Sequence, residues 1–323
     1  MNLVELKGMG RARLVELLDE ADRFLDASGA PTTPSWAQGA LSDKAVGLLF
    51  FEPSTRTRVS FELAAKRLGA TVIQLNAHES SLKKGETVLD TALNLEAMGV
   101  DAFVVRHGTR GVPAEVALGA RAPVVNAGDG MGEHPTQGLL DALVLRRRLG
   151  EPGGAELEGK TITYIGDIRH SRVARSGAHA LRALGARVRL SGPDELLPED
   201  ARGWAGAEIV RSGRSDALRG ADAVIVLRIQ RERFADGALD EGGYERGWRI
   251  TRDALAQEAK PDVWVMHPGP VIRGEEMEGE VADGDRSLIL EQVSAGVAVR
   301  QAVLLEVLGF DWSVARCLGD EDG

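Results

Sequence analysis

Short apolar runs alternate with amphipathic segments through the first half of the chain. The segments Val59 to Leu68 and Val88 to Met98 carry apolar residues at helical spacing, which predicts helices. The runs around them are typical of buried strands: Ala45 to Phe51, Thr71 to Asn76, Ala102 to His107 and Pro123 to Ala127. Strands that alternate with helices form βαβ units, so this pattern predicts a parallel sheet.

The second half repeats this scheme after a break in the chain. Thr136 to Leu149 is a predicted long helix, and the Gly- and Pro-rich segment 150–154 that follows it is the clearest break. Further apolar runs predict strands at Thr161 to Ile165, Arg187 to Ser191, Glu208 to Val210, Ala223 to Leu227 and Val263 to Met266. The last strong helical pattern, Ser294 to Leu308, is expected to cross back to the first half.

The length of the chain favours two domains. A chain of 323 residues is long for one hydrophobic core, since single cores stop growing near about 250 to 300 residues. We therefore expect a first domain at residues 1–150, a second at 151–293, and a C-terminal segment, 294–323, that returns to the first. The expected fold class is α/β, with two three-layer parallel-sheet domains that face a shared active-site cleft.

Composition and charge argue against several classes of function. The net charge of −10 argues against nucleic-acid binding, because phosphate backbones are usually bound by a basic face. No window approaches the ~18 uninterrupted apolar residues of a membrane helix. The N-terminus shows no export signal, so a cytoplasmic location is expected. The histidines and the single cysteine, Cys317, show no metal-ligand spacing, so we expect no metal and no other cofactor.

Polar residues that can bind anions follow the predicted strands. In open parallel sheets, ligands bind beyond the carboxyl ends of the strands, where helix N-termini present backbone N–H groups. The residues at these positions are Ser54 to Thr57, Ser80 to Lys84, Arg106 and His134 to Gln137 in the first half, and Arg172, Arg228, Gln230 and His267 to Pro270 in the second. The rule predicts that they collect at one ligand site.

Residues Phe51 to Arg58 are a candidate phosphate site. They end a strand and open a helix, so their hydroxyl and N–H groups can surround a phosphate while Arg56 binds it through two parallel hydrogen bonds. The alternative is a plain Ser/Thr helix cap with two solvated arginines, because caps of that kind are common.

His134 and Gln137 form a second candidate site. His134 follows the Gly-rich segment 128–133, which predicts a flexible approach, and it precedes a helix that carries Gln137 on the same face. Both side chains can donate hydrogen bonds to a carbonyl oxygen that gains negative charge. The alternative is that His134 is a buried capping residue. The glycines of this segment miss the dinucleotide-binding spacing because position 133 is Glu.

Four motifs together resemble one family. They are Ser54 to Arg58, Ser81 to Thr87, His134 to Gln137 and His267 to Pro270. From about position 2 to position 310 the chain resembles the catalytic chains of aspartate carbamoyltransferases, within the aspartate/ornithine carbamoyltransferase superfamily. The first and third motifs are common to the superfamily. The double lysine of the second, and the absence of a Cys-containing His-Cys-Leu-Pro run at the fourth, favour the aspartate branch.

The resemblance implies a reaction and a site for its first substrate. The reaction transfers the carbamoyl group of carbamoyl phosphate to the amino group of L-aspartate, giving N-carbamoyl-L-aspartate and phosphate in pyrimidine biosynthesis. The implied carbamoyl phosphate-binding residues are Ser54, Thr55, Arg56, Thr57, Arg106, His134, Gln137, Gly269 and Pro270. The implied catalytic residues are Arg56, Thr57, Lys84, Arg106 and His134.

The resemblance also implies an aspartate site and an assembly. Arg172 and Arg228 clamp the two carboxylates of aspartate, together with Gln230 and Lys84. Lys84 is implied to come from a neighbouring subunit, which gives a homotrimer with active sites at the subunit interfaces. A regulatory chain or a dihydroorotase is left open as a further partner. Arg169 and Arg175 lie near Arg172 in the sequence, and a solvated helix face explains any one of these arginines equally well.

Two departures from the family pattern and two rival functions remain. Ile272 stands where the family commonly has Asn, and Leu227 stands where it commonly has Thr. One rival function is a carbamoyltransferase for another amine, such as ornithine, against which the two candidate carboxylate clamps argue. The other is a non-catalytic member of the fold that works as a binding or regulatory subunit. The presence of every polar residue that the reaction requires argues against it.

Overall fold

The computed structural model describes residues 1–76, 85–150, 156–230, 244 and 247–318. The strands are β1 Ala45–Phe50, β2 Thr71–Asn76, β3 Ala102–His107, β4 Val124–Asp129, β5 Thr161–Ile165, β6 Arg187–Ser191, β7 Glu208–Val210, β8 Ala223–Val226 and β9 Trp264–Met266. The helices are α1 Arg11–Asp22, α2 Thr55–Arg67, α3 Val88–Ala97, α4 Val112–Gly119, α5 Pro135–Leu149, α6 Arg172–Ala183, α7 Arg214–Leu218, α8 Arg252–Glu258, α9 Gly279–Ala282, α10 Ile289–Val307 and α11 Trp312–Leu318. Strands and helices therefore alternate along most of the described chain.

The first sheet has the order β2-β1-β3-β4, and every neighbouring pair is parallel. Its strands β1, β3 and β4 are buried along almost their whole length, as expected for a parallel sheet that is covered on both faces. Leu49, Phe103 and Val105 form its core with Val116 of α4. Because β1, β3 and β4 are parallel neighbours, the residues at their carboxyl ends lie along one edge of the sheet.

The second sheet has the order β7-β6-β5-β8-β9 and is also parallel throughout. Ile165, Val224, Val226 and Val265 are fully buried in its core. The strands β5, β8 and β9 are neighbours, and the chain leaves them towards Arg172, Arg228 and His267 respectively. These three segments therefore start from one edge of the second sheet.

The chain divides into two compact units, each containing one sheet. The first unit comprises Met1–Leu6, Val15–Leu139 and Ser294–Gly323, and the second comprises Lys7–Leu14 and Leu140–Val293. Helix α5 begins in the first unit and ends in the second, and α10 runs from the second unit into the first. Each of these helices thus contributes residues to both units.

The two parallel-sheet α/β units confirm the predicted fold class, and the small differences lie at element ends. Helix α2 begins at Thr55, before the predicted Val59, because its polar first turn gives no apolar periodicity. Strand β4 extends to Asp129, beyond the predicted Ala127, because Asp129 still pairs with His107 of β3. Among the described helices, none combines the length and the hydropathy that crossing a membrane demands.

Candidate functional site

Residues 54–57 lie at the turn from β1 into α2. Ser54 is the N-cap residue of α2, but its side chain makes no capping hydrogen bond, so the plain-cap interpretation does not account for its hydroxyl. Thr57 is buried, whereas Arg56 is exposed. Within the described part of the chain, the Arg56 guanidinium has no hydrogen bond or ion pair. Partial desolvation lowers the pKa of Arg56. This turn therefore presents a cation beside a helix N-terminus, which suits an anion.

Arg106 lies at the carboxyl end of β3, where hydrogen bonds to Ala127 and Glu52 hold its side chain. One terminal nitrogen donates to the Ala127 carbonyl at 2.9 Å, and the other donates to the Glu52 carboxylate at 2.8 Å. The residue is buried, with 7% of its surface exposed. Since the backbone N–H of Phe51 also donates to the Arg106 carbonyl, this arginine is held against the start of the 51–58 segment. Glu52 lies within the candidate segment 51–58, but no role was predicted for it from the sequence.

His134 and Gln137 lie at the start of α5 and are both buried. The His134 carbonyl accepts the N–H groups of Gln137 and Gly138, so His134 starts the helix through its backbone. Gln137 lies in the first helical turn, as the sequence predicted. Both side chains thus stand at a helix N-terminus that follows β4, on the same sheet edge as Arg106. The backbone role is the one expected of a capping residue, and the buried imidazole is a candidate for substrate contact.

The segment before His134 is fixed by hydrogen bonds, so the predicted flexible approach is wrong. The buried Asp129 carboxylate accepts the N–H groups of Glu133 at 2.6 Å and Gly111 at 2.7 Å. A Cβ at position 130 or 132 would lie 2.4 Å from the Gly108 carbonyl or from Asp129 itself. The glycines at positions 130 and 132 therefore permit close approach within this loop.

The structure distinguishes the three arginines that follow β5. Arg172 is buried at the first position of α6, whose N-cap Ser171 accepts the N–H of Ala174 through its hydroxyl. The Arg169 side chain donates to the Leu197 carbonyl, away from the start of α6. Arg175 stacks on the ring of Trp204, with 4.3 Å between the guanidinium carbon and the ring centroid. Of the three, Arg172 is thus the arginine that is buried at the start of α6.

A buried carboxylate joins the segments that carry Arg172 and Arg228. Asp167 lies between β5 and α6, and one of its oxygens is 2.8 Å from the ring Nδ1 of His170. Its other oxygen accepts the N–H of Gln230, two residues after Arg228, at 3.3 Å. The Gln230 side chain donates to the His170 carbonyl at 3.2 Å. These contacts bring the ends of β5 and β8 together. Neither Asp167 nor His170 was singled out from the sequence, because their common partner Gln230 is distant along the chain.

The fourth motif follows β9 as a tight turn. His267 is fully buried, and its Nδ1 accepts the N–H of Gly269 at 2.8 Å. The peptide bond between Gly269 and Pro270 is cis. Of the two departures from the family pattern, Ile272 points to solvent and is held through its backbone N–H, while Leu227 is buried beside β5. A change of side chain at 272 therefore leaves the backbone contacts of this turn intact.

Lys84, the second lysine of the second motif, lies outside the described residues. Among the residues that are described, no group of three or more His, Cys, Asp or Glu side chains is placed to hold a metal ion. The described candidate residues thus form two sets, one at the carboxyl edge of each sheet.

Two family descriptions match successive parts of the chain, and they divide it close to the place where the first compact unit gives way to the second. Residues 1–147 match the family described as aspartate/ornithine carbamoyltransferase, carbamoyl-P binding domain. Residues 158–307 match the family described as aspartate/ornithine carbamoyltransferase, Asp/Orn binding domain. The aspartate carbamoyltransferase catalytic subunit of Sorangium cellulosum (strain So ce56) is 49% identical over 306 residues, which span 94% of this chain and 91% of that relative.

Solved structures of both amine specificities share this fold. Aspartate transcarbamoylase from Trypanosoma cruzi, in complex with N-(phosphonacetyl)-L-aspartic acid, has a TM-score of 0.80 at 31% identity and covers 94% of each chain. Ornithine carbamoyltransferase from Pyrococcus furiosus has a TM-score of 0.82 at 28% identity, over 95% of this chain and 97% of that chain. The backbone alone therefore does not separate the two specificities.

Proposed function

The chain belongs to the aspartate/ornithine carbamoyltransferase family, and on this basis we propose that it is an aspartate carbamoyltransferase, which joins carbamoyl phosphate to L-aspartate. The observation that carries the choice of amine is the pair Arg172 and Arg228, which follow neighbouring strands and are joined through Asp167 and Gln230. A dicarboxylate needs two cationic partners, and Arg is suited to bidentate carboxylate binding. The relative at 49% identity carries the same activity in its name.

Carbamoyl phosphate binds at the edge of the first sheet in this proposal. Ser54, Thr55, Arg56 and Thr57 hold the phosphate, which suits the exposed arginine at the N-terminus of α2. Arg106 contacts both the phosphate and the carbonyl oxygen, and its two hydrogen bonds to the protein fix its orientation in advance. Preorganised donors of this kind cost little reorganisation when charge develops.

The transfer step needs position and charge. The deprotonated amine of aspartate attacks the carbamoyl carbon, and Thr57, Arg106 and His134 stabilise the tetrahedral oxyanion. Phosphate then leaves and accepts the proton of the amine. Gln137 and the carbonyls of Gly269 and Pro270 hold the carbamoyl NH₂ group throughout. The burial of His134, at 4% exposure, supports this role, because a donor in a site of low dielectric is worth more than one in water.

Aspartate binds through residues that follow the second sheet. Arg172 and Arg228 each take one carboxylate, and Gln230 lies beside them. The diversion of Arg169 to Leu197 and of Arg175 to Trp204 supports Arg172 as the clamp. Lys84 completes this site from a neighbouring subunit.

We also propose a homotrimer, because Lys84 of one subunit is needed in the active site of a neighbouring subunit. Helix α2 exposes Val59 and Leu63, one turn apart and each 42% exposed, which suits a subunit contact. Light scattering should give the mass of three chains. When inactive Lys84→Gln and His134→Ala chains are mixed and reassembled, activity should return, because mixed trimers contain some sites with neither substitution. Continued inactivity of verified mixed trimers would contradict the sharing of sites.

A bisubstrate compound tests the proposed pair of half-sites. N-(phosphonacetyl)-L-aspartic acid joins a phosphonate to the two carboxylates of aspartate. We expect it to bind far more tightly than phosphonoacetate, and Arg228→Ala to weaken it while leaving phosphonoacetate unchanged. Titration calorimetry measures both affinities. Equal binding of the two compounds to the unaltered protein would contradict an aspartate site.

A further inference from the structure

Gln292 links the turn after β9 to helix α5. Its side-chain carbonyl, on α10, accepts the backbone N–H of His267 at 2.9 Å. Its amide donates to the Asp141 carboxylate of α5 at 2.7 Å. Gln292 is 3% exposed and Asp141 is fully buried, so neither hydrogen bond competes with bulk water. One side chain thus fixes the end of β9 relative to α5.

Glu276 holds the other side of the same turn. Its carboxylate accepts the N–H of Ile272 at 2.7 Å. The N–H of Gly269 donates to Nδ1 of His267, and Nε2 of the same ring lies 3.1 Å from the Glu276 carboxylate. Both His267 and Glu276 have fully buried side chains. The turn is therefore fixed at both ends, and the carbonyls of Gly269 and Pro270 lie between the fixed points.

Holding a turn through buried polar side chains has a high cost in free energy. Burying a carboxylate or an amide costs free energy unless its hydrogen bonds are made, and apolar packing of similar volume is often as stable. Such networks are better suited to fixing one geometry than to adding stability. In this protein, the network fixes the turn that carries the carbonyls of Gly269 and Pro270.

The positions of Gln137 and Asp141 indicate why this geometry matters. They are four residues apart on α5, so they lie on the same face of the helix. Gln137 and the Gly269 and Pro270 carbonyls are the groups proposed to hold the carbamoyl NH₂. The link from Asp141 through Gln292 to His267 therefore connects the helix that carries Gln137 with the turn that carries the two carbonyls.

We propose that Gln292 is a positioning residue that sets the preference of this site for carbamoyl phosphate over acetyl phosphate. The inference rests on the proposed function. Acetyl phosphate carries a methyl group where carbamoyl phosphate carries NH₂, and the two are otherwise nearly the same size. A site that accepts N–H hydrogen bonds rejects an analogue without them, because its buried acceptors are left without partners. That rejection requires the acceptors to stay in place, and Gln292 with Glu276 keeps them there.

The test compares two buried glutamines on one helix. Gln292→Met removes both hydrogen bonds at similar volume. Gln301→Met is the matched control, because Gln301 is also buried on α10 and donates to Thr33 at 2.8 Å, in the first unit. The readout is the inhibition constant of acetyl phosphate divided by the KM of carbamoyl phosphate. We expect this ratio to fall about tenfold or more in Gln292→Met, the size expected for a lost buried hydrogen bond. It should stay within about twofold in Gln301→Met.

The selectivity ratio distinguishes a positioning effect from a general loss of stability. A destabilised fold lowers the amount of active protein but does not change this ratio. An unchanged ratio in folded Gln292→Met overturns the proposal. If Gln292→Met does not fold, the variants Glu276→Ala and Glu276→Gln test the proposal instead. Glu276→Ala should lower the ratio, and Glu276→Gln, which keeps an acceptor for Ile272, should restore most of it. No change in Glu276→Ala overturns the proposal. Absence of carbamoyl transfer to aspartate by the unaltered protein would instead refute the proposed function, and the inference with it.

Discussion

The Arg106 guanidinium donates to the Glu52 carboxylate across 2.8 Å at the carboxyl edge of the first sheet. Arg106 is buried and also donates to the Ala127 carbonyl, so its position is fixed while one of its donors is occupied by an acidic side chain. In the proposed site a phosphate approaches the same guanidinium. Glu52 thus orients Arg106 and at the same time opposes the anion that Arg106 binds.

Removing the charge of Glu52 should strengthen phosphate binding. We expect Glu52→Gln to lower the Kd for inorganic phosphate by about three- to tenfold, the size of a partly exposed ion pair. Titration calorimetry measures this. Glu62→Gln is the control, because its carboxylate pairs with Lys66 on α2, and it should bind phosphate as the unaltered protein does. Weaker binding in Glu52→Gln would show that Glu52 serves the site mainly by orienting Arg106.

His134 should affect turnover and leave phosphate binding unchanged. Removing one oxyanion donor costs about 10² to 10³ in rate, so His134→Ala should lower kcat by roughly that factor. Its phosphate affinity, measured by calorimetry, should match that of the unaltered protein, because the phosphate is assigned to residues 54–57 and Arg106. Equal turnover in the variant would remove His134 from the mechanism.

Arg228 should affect one substrate only. We expect Arg228→Ala to raise the KM for aspartate by about 10- to 100-fold, since a charge-assisted pair is lost, and to change the KM for carbamoyl phosphate little. Steady-state kinetics with each substrate varied in turn measures the difference. Arg169→Ala is the matched control, because its side chain donates to Leu197 instead. A matched loss for both substrates in Arg228→Ala would contradict the clamp.

Tyr164 and Gly177 should be coupled in stability. Tyr164 is fully buried, and its hydroxyl has no hydrogen-bond partner among the residues that are described. Burial, and secondly the charge of Asp141, raises the pKa of Tyr164. A buried hydroxyl without a partner costs about 1 to 3 kcal/mol, so Tyr164→Phe should raise the free energy of unfolding by about 1 kcal/mol.

A Cβ at position 177 would lie 1.7 Å from that hydroxyl, so Gly177→Ala should lower the free energy of unfolding by about 1 to 3 kcal/mol. The free energy of unfolding of the double variant should be higher than the value obtained by adding the two single effects, because the hydroxyl is the nearest clashing atom. Urea denaturation gives all three values. Strict additivity would show that the two residues do not meet.

The fold could be predicted from the sequence because both sheets are parallel. Strands buried on both faces appear as continuous apolar runs, and each predicted run became a strand within two residues at either end. The end of β4 was missed because Asp129 is polar, although it continues the ladder opposite His107. The start of α2 was missed because its first turn carries hydroxyls and arginines. Periodicity identifies apolar faces and is silent about polar ends.

The candidate site could be predicted in part. Polar motifs after strands predicted which residues lie at the carboxyl edges of the sheets, because that rule depends only on the direction of the strands. The sequence could not choose among Arg169, Arg172 and Arg175, because the choice depends on Leu197 and Trp204, which are distant in sequence. Gln292 was missed for the same reason, since its partner Asp141 lies 151 residues away. Contacts of that kind are set by packing and have no local pattern.

The most direct test of the central claim is the identity of the amine that the protein carbamoylates. The purified protein would be incubated with carbamoyl phosphate and equal concentrations of L-aspartate and L-ornithine, and the products identified by mass spectrometry. We predict N-carbamoyl-L-aspartate as the product, formed with one phosphate for each molecule. Carbamoylated ornithine, or hydrolysis of carbamoyl phosphate without any carbamoylated amine, would contradict the assignment of Arg172 and Arg228 as the clamp for a dicarboxylate.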